Sequence, residues 1–504
     1  MDLLLYEKVK GEPNITLLLD TDVVAVTKTG NIIQTVRATR NLMEDEFIIS
    51  ARYFADCTGD GRLGAEAGAD FHIGREAKSD FGESLARDVA DRQTLGSSIL
   101  LTGRKHELPQ PFIAPSWIRR FQKSDFRHRP IHSYEYGYWW FEWGGQLDTI
   151  KDNEVIRHEL LRIAFGVWDY VKNSGNHPDS ANWTLDWMGA VPGKRESRRF
   201  LGPHLLTESD VLGGTRLFHD QVAYGGWPID LHPPSGVDVP EEQPYTPTRF
   251  DHVYSIPLRC YHSRNIANLF FAGRNISATH VAFASTRVMA TCAAGGQAIG
   301  TAAAILVARR AVHGIAEAST PEFIHELQQT LLRDDVWLPG LRNEDPADLA
   351  RTATVAANPD NASFPASIVT DGITRNLKPS FGPWADASVH RWESIVLPAR
   401  LTLTLARTAS VREIHLTFDS EFERELMLTP SDYLTARQIR GPQPELVRDY
   451  RVIADGRVIV DIMGNHLRKR VHRLDETVTA TTIELEVLAT HGVSRARVFE
   501  VRIY

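Results

Sequence analysis

Two stretches of the chain have residue types and spacing suited to holding a cofactor. The first is Tyr53-Phe54-Ala55 leading into Asp56-Cys57-Thr58-Gly59-Asp60-Gly61, and the second is Asn268-Leu269-Phe270-Phe271-Ala272-Gly273-Arg274. Each reads as a buried strand, then a turn of small residues, then a helix start. At such a junction the backbone can approach a phosphate or a planar ring closely, and a helix N-terminus faces an anion. The second stretch continues through His280 and Arg287 to Gly295-Gly296-Gln297-Ala298-Ile299-Gly300.

Proton transfer needs a side chain that titrates near neutrality, and His280, just after the second stretch, is the first candidate, with His232 second. The run Gly193-Lys194-Arg195-Glu196-Ser197-Arg198-Arg199 packs alternating charges beside a glycine. Arg195 and Glu196 are candidates for substrate anchor and acid/base, against the plainer reading of a solvated turn.

Gly59-Asp60-Gly61-Arg62-Leu63-Gly64 also matches the G-x-G-x-x-G dinucleotide fingerprint. Asp60 would meet a pyrophosphate with a like charge, Gly68 interrupts the following helix, and no acid-ending second strand follows. A nicotinamide dehydrogenase acting through Gly59 to Gly64 is therefore the lesser alternative.

The elements around these residues follow from periodicity. Ile15 to Leu19, Val23 to Val26, Ile32 to Val36 and Phe47 to Ile49, with turns at Lys28 to Asn31 and Asn41 to Glu46, predict a β-meander feeding the Tyr53 strand. Between 75 and 250 that pattern stops, and one helix is predicted over Asp152 to Lys172. Eight of the eleven tryptophans lie between 117 and 227, most expected to fill a core and one or two to form a stacking platform for a ring-shaped substrate. A helix is predicted over Pro321 to Arg333. Beyond about 350 only strands are predicted, at Arg400 to Leu405, Val411 to Phe418, Asp449 to Ala454, Val458 to Ile462, Thr482 to Ala489 and Ala496 to Ile503.

A chain of 504 residues exceeds one core, so two or three domains are expected. The net charge of −8 without a basic block argues against nucleic acid as a partner. Cys57, Cys260 and Cys292 lack metal-ligand spacing and form no disulfide framework, and no metal site is expected. Val288 to Ala308 carries no charge and is long enough to span a bilayer, yet its Ala and Gly content predicts a closely packed buried helix rather than a membrane span. No leader peptide opens the sequence, which favours a soluble, cytoplasmic protein.

Four motifs in order resemble a bacterial family of FAD-dependent oxidoreductases, similar in architecture to the glutathione-reductase and fumarate-reductase flavoproteins. They are Asp56 to Gly61, Gly193 to Arg199, Gly226-Trp227-Pro228-Ile229-Asp230-Leu231-His232, and Ser255 through Arg274 and His280 to Arg287, within residues 1–350. The resemblance implies FAD as cofactor, with Gly273 and Arg274 beside the ribityl and pyrophosphate. It gives Thr58, Gly59, Asp60 and Arg287 to the same site, and sets a helix start near Gly295, Gly296, Gln297 and Gly300 against the flavin's pyrimidine edge. Family members open with a strand, a glycine turn, a helix and a second strand that hold the ADP half. Here the chain begins downstream of those, which predicts a truncated and inactive flavoprotein, or one completed by a separate N-terminal FAD-binding chain. Residues 350–504, with Ile368 to Arg375, Trp384, Phe418-Asp419 and Ala496 to Val501, resemble a discoidin-like (galactose-binding) jelly roll, which implies glycan as a partner.

The expected fold is α/β plus all-β: an incomplete FAD-binding Rossmann-like domain with a substrate-domain insertion, followed by a jelly-roll β-sandwich. The expected division is a meander and FAD-domain strand over 1–74, an insertion over 75–250, the closing FAD segment over 251–345 and the sandwich over 346–504. The expected function is hydride transfer between a small organic, sugar-like substrate and flavin, with His280 handling the proton. The alternative is a non-catalytic glycan-binding protein with a vestigial flavin domain.

Overall fold

The computed structural model describes residues 2–214, 216–311, 314–385, 388–429 and 431–504. A helix, α1 (Asp2–Lys10), opens it with no buried residue. A three-stranded antiparallel meander follows: β1 (Thr21–Thr29), β2 (Ile32–Arg40) and β3 (Asp45–Ser50), with Gly30 at φ 59° turning β1 into β2. The strand expected at Ile15 to Leu19 is irregular instead. Ile15 and Leu19 are half exposed, and no strand among the described residues pairs with them. A run of apolar residues without a ladder partner does not make a strand.

The meander feeds β4 (Phe54–Asp56), which leads through a tight turn to the short helix α2 (Arg62–Glu66). Beyond it the chain becomes irregular, with short strand pairs packed around the 21-residue helix α3 (Asn153–Asn173). The apolar face of α3 buries Ile156, Leu160, Ile163, Val167 and Trp168 against Tyr138, Trp140 and Phe141. Trp140 and Trp168 thus fill this core, whereas Trp139 and Trp227 remain 41% and 50% exposed.

An antiparallel pair, β5 (Gln221–Gly225) and β6 (Tyr254–Pro257), returns the chain to β7 (Leu269–Phe271). This last strand lies parallel to β4, with Leu269 opposite Phe54 and Phe271 opposite Asp56. The two stretches singled out by sequence are therefore direct neighbours although some two hundred residues separate them. Ala55 is exposed, and β4 has no strand on its other edge among the described residues.

Three helices follow: α4 (His280–Thr286), α5 (Met289–Ala308) and α6 (Pro321–Arg333), the last capped by the Thr320 hydroxyl. By length and apolarity α5 could cross a bilayer. One of its faces, with Gly295, Ala298, Ile299, Ala302, Ile305 and Leu306, is buried in the main core. The other is not packed: Met289 is 84% and Val307 46% exposed, which narrows the expectation of a wholly buried helix.

The C-terminal part is all-β. Its framework is two long strands, β8 (Ala399–Phe418) and β11 (Lys469–Thr490), joined by β9 (Val447–Ala454), β10 (Arg457–Ile462) and β12 (Arg497–Ile503). Irregularities between Thr404 and Ala409 and between Val411 and Glu413 let β8 bend, so one antiparallel sheet wraps a core holding Leu401, Leu416, Trp392 and Val498. The fold class is thus mixed α/β plus all-β. Among the bonds that fasten the parts together, Arg502 donates to the Leu332 carbonyl at 3.0 Å, Arg468 to Asp335 at 2.8 Å, and the Ser431 hydroxyl to Glu135 at 2.6 Å.

Candidate active site

Asp56 builds the first wall. It is fully buried at the end of β4, and its carboxylate accepts from the Thr58 amide (3.0 Å), the Thr58 hydroxyl (2.7 Å) and the Gly64 amide (2.8 Å). These bonds replace the ladder partners that end with the strand and fix the turn. A Cβ at Gly59 would lie 2.2 Å from Arg274 Nη1, and one at Gly64 would lie 2.2 Å from Phe200 Cζ. The Phe200 ring in turn stacks on Phe271 with centroids 4.7 Å apart. The glycines of the apparent fingerprint therefore face the protein's own side chains, and α2 has only five residues. Both findings remove the nicotinamide reading of Gly59 to Gly64.

Asp60 ties this turn to the rest of the site. Its carboxylate accepts from Lys194 at 2.5 Å, Arg274 at 2.7 Å and the Ser197 hydroxyl at 2.9 Å. Burial raises the Asp60 pKa, but Lys194 and Arg274 outweigh it and the net shift is downward. Thr58, Gly59, Asp60, Gly273 and Arg274 thus meet where β4 and β7 end.

The helix start expected at Gly295 lies elsewhere. α5 begins at Met289, so Gly295, Gly296, Gln297 and Gly300 lie inside the helix. The misreading has a simple origin: glycines usually mark ends, while here Gly295 admits the Tyr261 ring, 2.3 Å from where a Cβ would stand. The true N-terminus has no side-chain cap. Arg274 and Arg287 both act on Cys292 in its first turn, whose thiol burial nonetheless pushes up to about 11. The Nε atoms of both arginines are buried without a partner. Uncapped amides beside two under-used guanidiniums are the donor set that a cofactor's phosphate and carbonyl oxygens require, so these residues fit FAD.

His280 opens α4. Thr279 caps the helix, its hydroxyl accepting from the Ala282 amide and donating to Glu83 at 2.6 Å. The His280 amide donates to Glu76 at 2.8 Å, and its Nδ1 lies 3.1 Å from Glu196 Oε1. A carboxylate only accepts, so this contact places a proton on Nδ1 and leaves Nε2 without a protein partner among the described residues. The ring lines a cavity of about 550 Å³.

Glu196 itself is fully buried and also accepts from the Leu95 amide at 2.9 Å. Burial would raise its pKa, but His280 and Arg199 outweigh it and hold it below the ordinary carboxylate range. Behind it Arg199, also fully buried, donates to Glu76 at 2.8 Å and lies 3.4 Å from Glu196. Arg195 points the other way, donating to the Ser98 hydroxyl at 2.5 Å and the Trp139 carbonyl at 2.9 Å. The dense charge cluster is thus split, with Glu196 behind His280 and Arg195 in a second cavity.

That second cavity, about 590 Å³, is lined by Trp139, Trp227, Tyr245, Arg195, Arg249 and Arg287. His232 lines both cavities. Its Nδ1 lies 2.7 Å from Glu142 and its Nε2 3.0 Å from Asp230. Burial lowers its pKa, but the two carboxylates win and the net shift is upward. Sequence reasoning missed Glu142 and Asp230. Asp230 was findable: Asp230-Leu231-His232 alternates on a strand and puts both polar residues on one face. Nothing in the sequence pointed to Glu142. Among the described residues no group of His, Cys, Asp and Glu could hold a metal ion.

Glu76 makes the acid limb of stability measurable. Burial raises its pKa, but His72 and Arg199 bring it down to about 2 from 4.5. A depressed carboxylate adds stability above its unfolded value and loses it as pH falls through the folded one, here between 4.5 and about 2. That difference is worth about 3 kcal/mol. Urea midpoints are expected to fall below about pH 4.5, and less steeply in Glu76→Gln. Equal acid limbs in parent and variant would refute the assignment.

The sequence profile of the family described as FAD dependent oxidoreductase matches residues 2–331. The chain belongs to that family. Beyond the FAD dependent oxidoreductase match, no curated protein matches the chain. Among solved structures, the chain is similar to the family 32 carbohydrate-binding module of Streptococcus pneumoniae EndoD, at 15% identity, 31% of this chain, 99% of that one and a TM-score of 0.24. It is also similar to the family 32 module of Clostridium perfringens NanJ, described in complex with galactose, at 16% identity, 31% and 96% coverage and a TM-score of 0.22. At TM-scores this low the likeness assigns neither ligand nor role.

Proposed function

We propose that the chain binds FAD and oxidises a small, sugar-like organic substrate. The observation that carries this is the meeting of Gly273, Arg274, Arg287 and the uncapped start of α5 within a member of an FAD dependent oxidoreductase family. Bound FAD would supply the two-electron acceptor that no protein side chain offers. Gly273 has φ 94° and little beside its Cβ position, which lets a ligand approach the backbone. Arg274 and Arg287 hold anionic oxygens. His280 removes the substrate proton at Nε2, and Glu196 fixes the ring's tautomer and stabilises the imidazolium that forms. Glu196 has no access to substrate and acts through His280. The exposed edge of β4 suits one further parallel strand, which a separate FAD-binding chain could provide.

The test is an absorbance spectrum of the purified chain before and after adding FAD. A flavin band that stays with the protein through gel filtration is expected. A folded chain, shown so by circular dichroism, that retains no flavin would overturn the reading. Sugar retained without flavin would favour glycan binding by the C-terminal sheet domain instead. In that domain Phe422 stands 57% exposed beside Arg375 and Glu421 in a cleft of about 180 Å³.

A further inference from the structure

We infer that the cavity between Trp139, Trp227 and Tyr245 binds a carboxylate carried on a ring-sized body. This goes beyond the oxidoreductase reading: the cavity lies across His232 from His280, and binding there does not depend on flavin.

The charges around the cavity do not balance. Arg195, Arg249, Arg287 and His232 line it with one carboxylate, Asp230, while Glu142 lies behind Arg195 and His232, and Glu196 also acts on Arg287. Both nitrogens of His232 face carboxylates, with Arg287 Nη2 also 3.4 Å from Nε2, and the two carboxylates raise the ring's pKa above the ordinary imidazole value. Among the groups that line the cavity, three arginines therefore meet one carboxylate. The surplus is accessible: Arg249 is exposed and makes no hydrogen bond or ion pair to another described residue. Arg287, its side chain 14% exposed, donates to Asp230 at 2.9 Å through Nη2, which leaves Arg249 as the lining guanidinium open to a ligand. An arginine without a protein acceptor at a cavity rim is open to one from a ligand. A carboxylate supplies it in the planar two-point geometry that arginine favours.

The walls define the rest of the ligand. Trp139 and Tyr245 stand edge to face with centroids 5.1 Å apart, and Trp139 meets the His232 ring in the same manner at 5.8 Å. Trp227 is 50% exposed. Such rings accept an aromatic face or the C–H face of a pyranose equally well. Two bodies thus share one chemistry: an aromatic acid and a sugar acid.

Four probes separate the terms: benzoate and glucuronate, with benzyl alcohol and glucose as their uncharged counterparts. Each is titrated into the chain while tryptophan fluorescence is followed, since Trp139 and Trp227 face the cavity. Binding of at least one acid is expected, about tenfold or more tighter than its neutral counterpart. Benzoate alone would assign an aromatic body, and glucuronate alone a pyranose. Arg249→Leu, at an exposed position that leaves the fold intact, is expected to weaken the preferred acid about tenfold. Equal binding of acid and neutral probes, no binding by any of them, or an unchanged Arg249→Leu would overturn the inference. So would displacement of the acid by riboflavin, which would give the cavity to the flavin ring. Flavin retention, measured on the same preparation, reports separately. Acid binding without flavin overturns only the oxidoreductase reading, and flavin without acid preference overturns only this one.

Discussion

Arg199→Met is expected to destabilise the protein by about 3–5 kcal/mol, much of the stability an ordinary domain possesses. Methionine preserves the length of the side chain and its packing. It removes the charge that lies 2.8 Å from Glu76 and 3.4 Å from Glu196, both buried with it. Breaking such a group costs more than the pair contributes, because carboxylates remain where water cannot reach them. Arg62, in a half-exposed pair with Glu66, is the control: Arg62→Met should change stability by less than about 0.5 kcal/mol. Urea unfolding of both variants, followed by tryptophan fluorescence, decides the matter. A loss near that of the control would mean that Arg199 is not holding the two carboxylates. The active-site consequence is direct, since Glu76 also accepts the amide of His280.

The second large effect concerns catalysis. His280→Asn is expected to slow bleaching of the flavin band about 10²–10⁴-fold with whichever substrate reduces it, the usual contribution of a positioned base. Asparagine can keep a hydrogen bond to Glu196 but cannot accept a proton at the position of Nε2. Flavin retention should be unchanged, because the groups assigned to the cofactor lie at Gly273, Arg274, Arg287 and the start of α5. Glu196→Gln should cost less than His280→Asn and should act on the chemical rate more than on substrate affinity. Parent-like reduction by His280→Asn would remove this histidine from the mechanism, and His232 would become the group to test.

Parts of this architecture were legible because they depend on local pattern. The meander, the helix read over Asp152 to Lys172 and found at Asn153–Asn173, and the helix from Pro321 to Arg333 all have clear periods and turn or cap residues. The long strands were read in pieces. Ala399–Phe418 was predicted as two segments because its irregularities interrupt the alternation. Only the latter half of Lys469–Thr490 was predicted, since its first half is charged. At the site, His280 and Asp60 could be singled out by their neighbours in sequence. Their partners could not. Glu196 lies 84 residues from His280 and Glu142 lies 90 residues from His232, and no local spacing encodes a pairing that the tertiary fold creates.

His232 forms the partition between two cavities, one lined by His280 and the other by three arginines. An occupant on the arginine side that favours the imidazolium must strengthen the histidine's hold on its proton. By reciprocity, the proton must strengthen that occupant to the same degree. Anything on the His280 side that prefers the neutral ring then weakens the ligand across the wall without touching it. The two spaces are therefore a single linked equilibrium, in which the hydrogen ion acts as a third ligand.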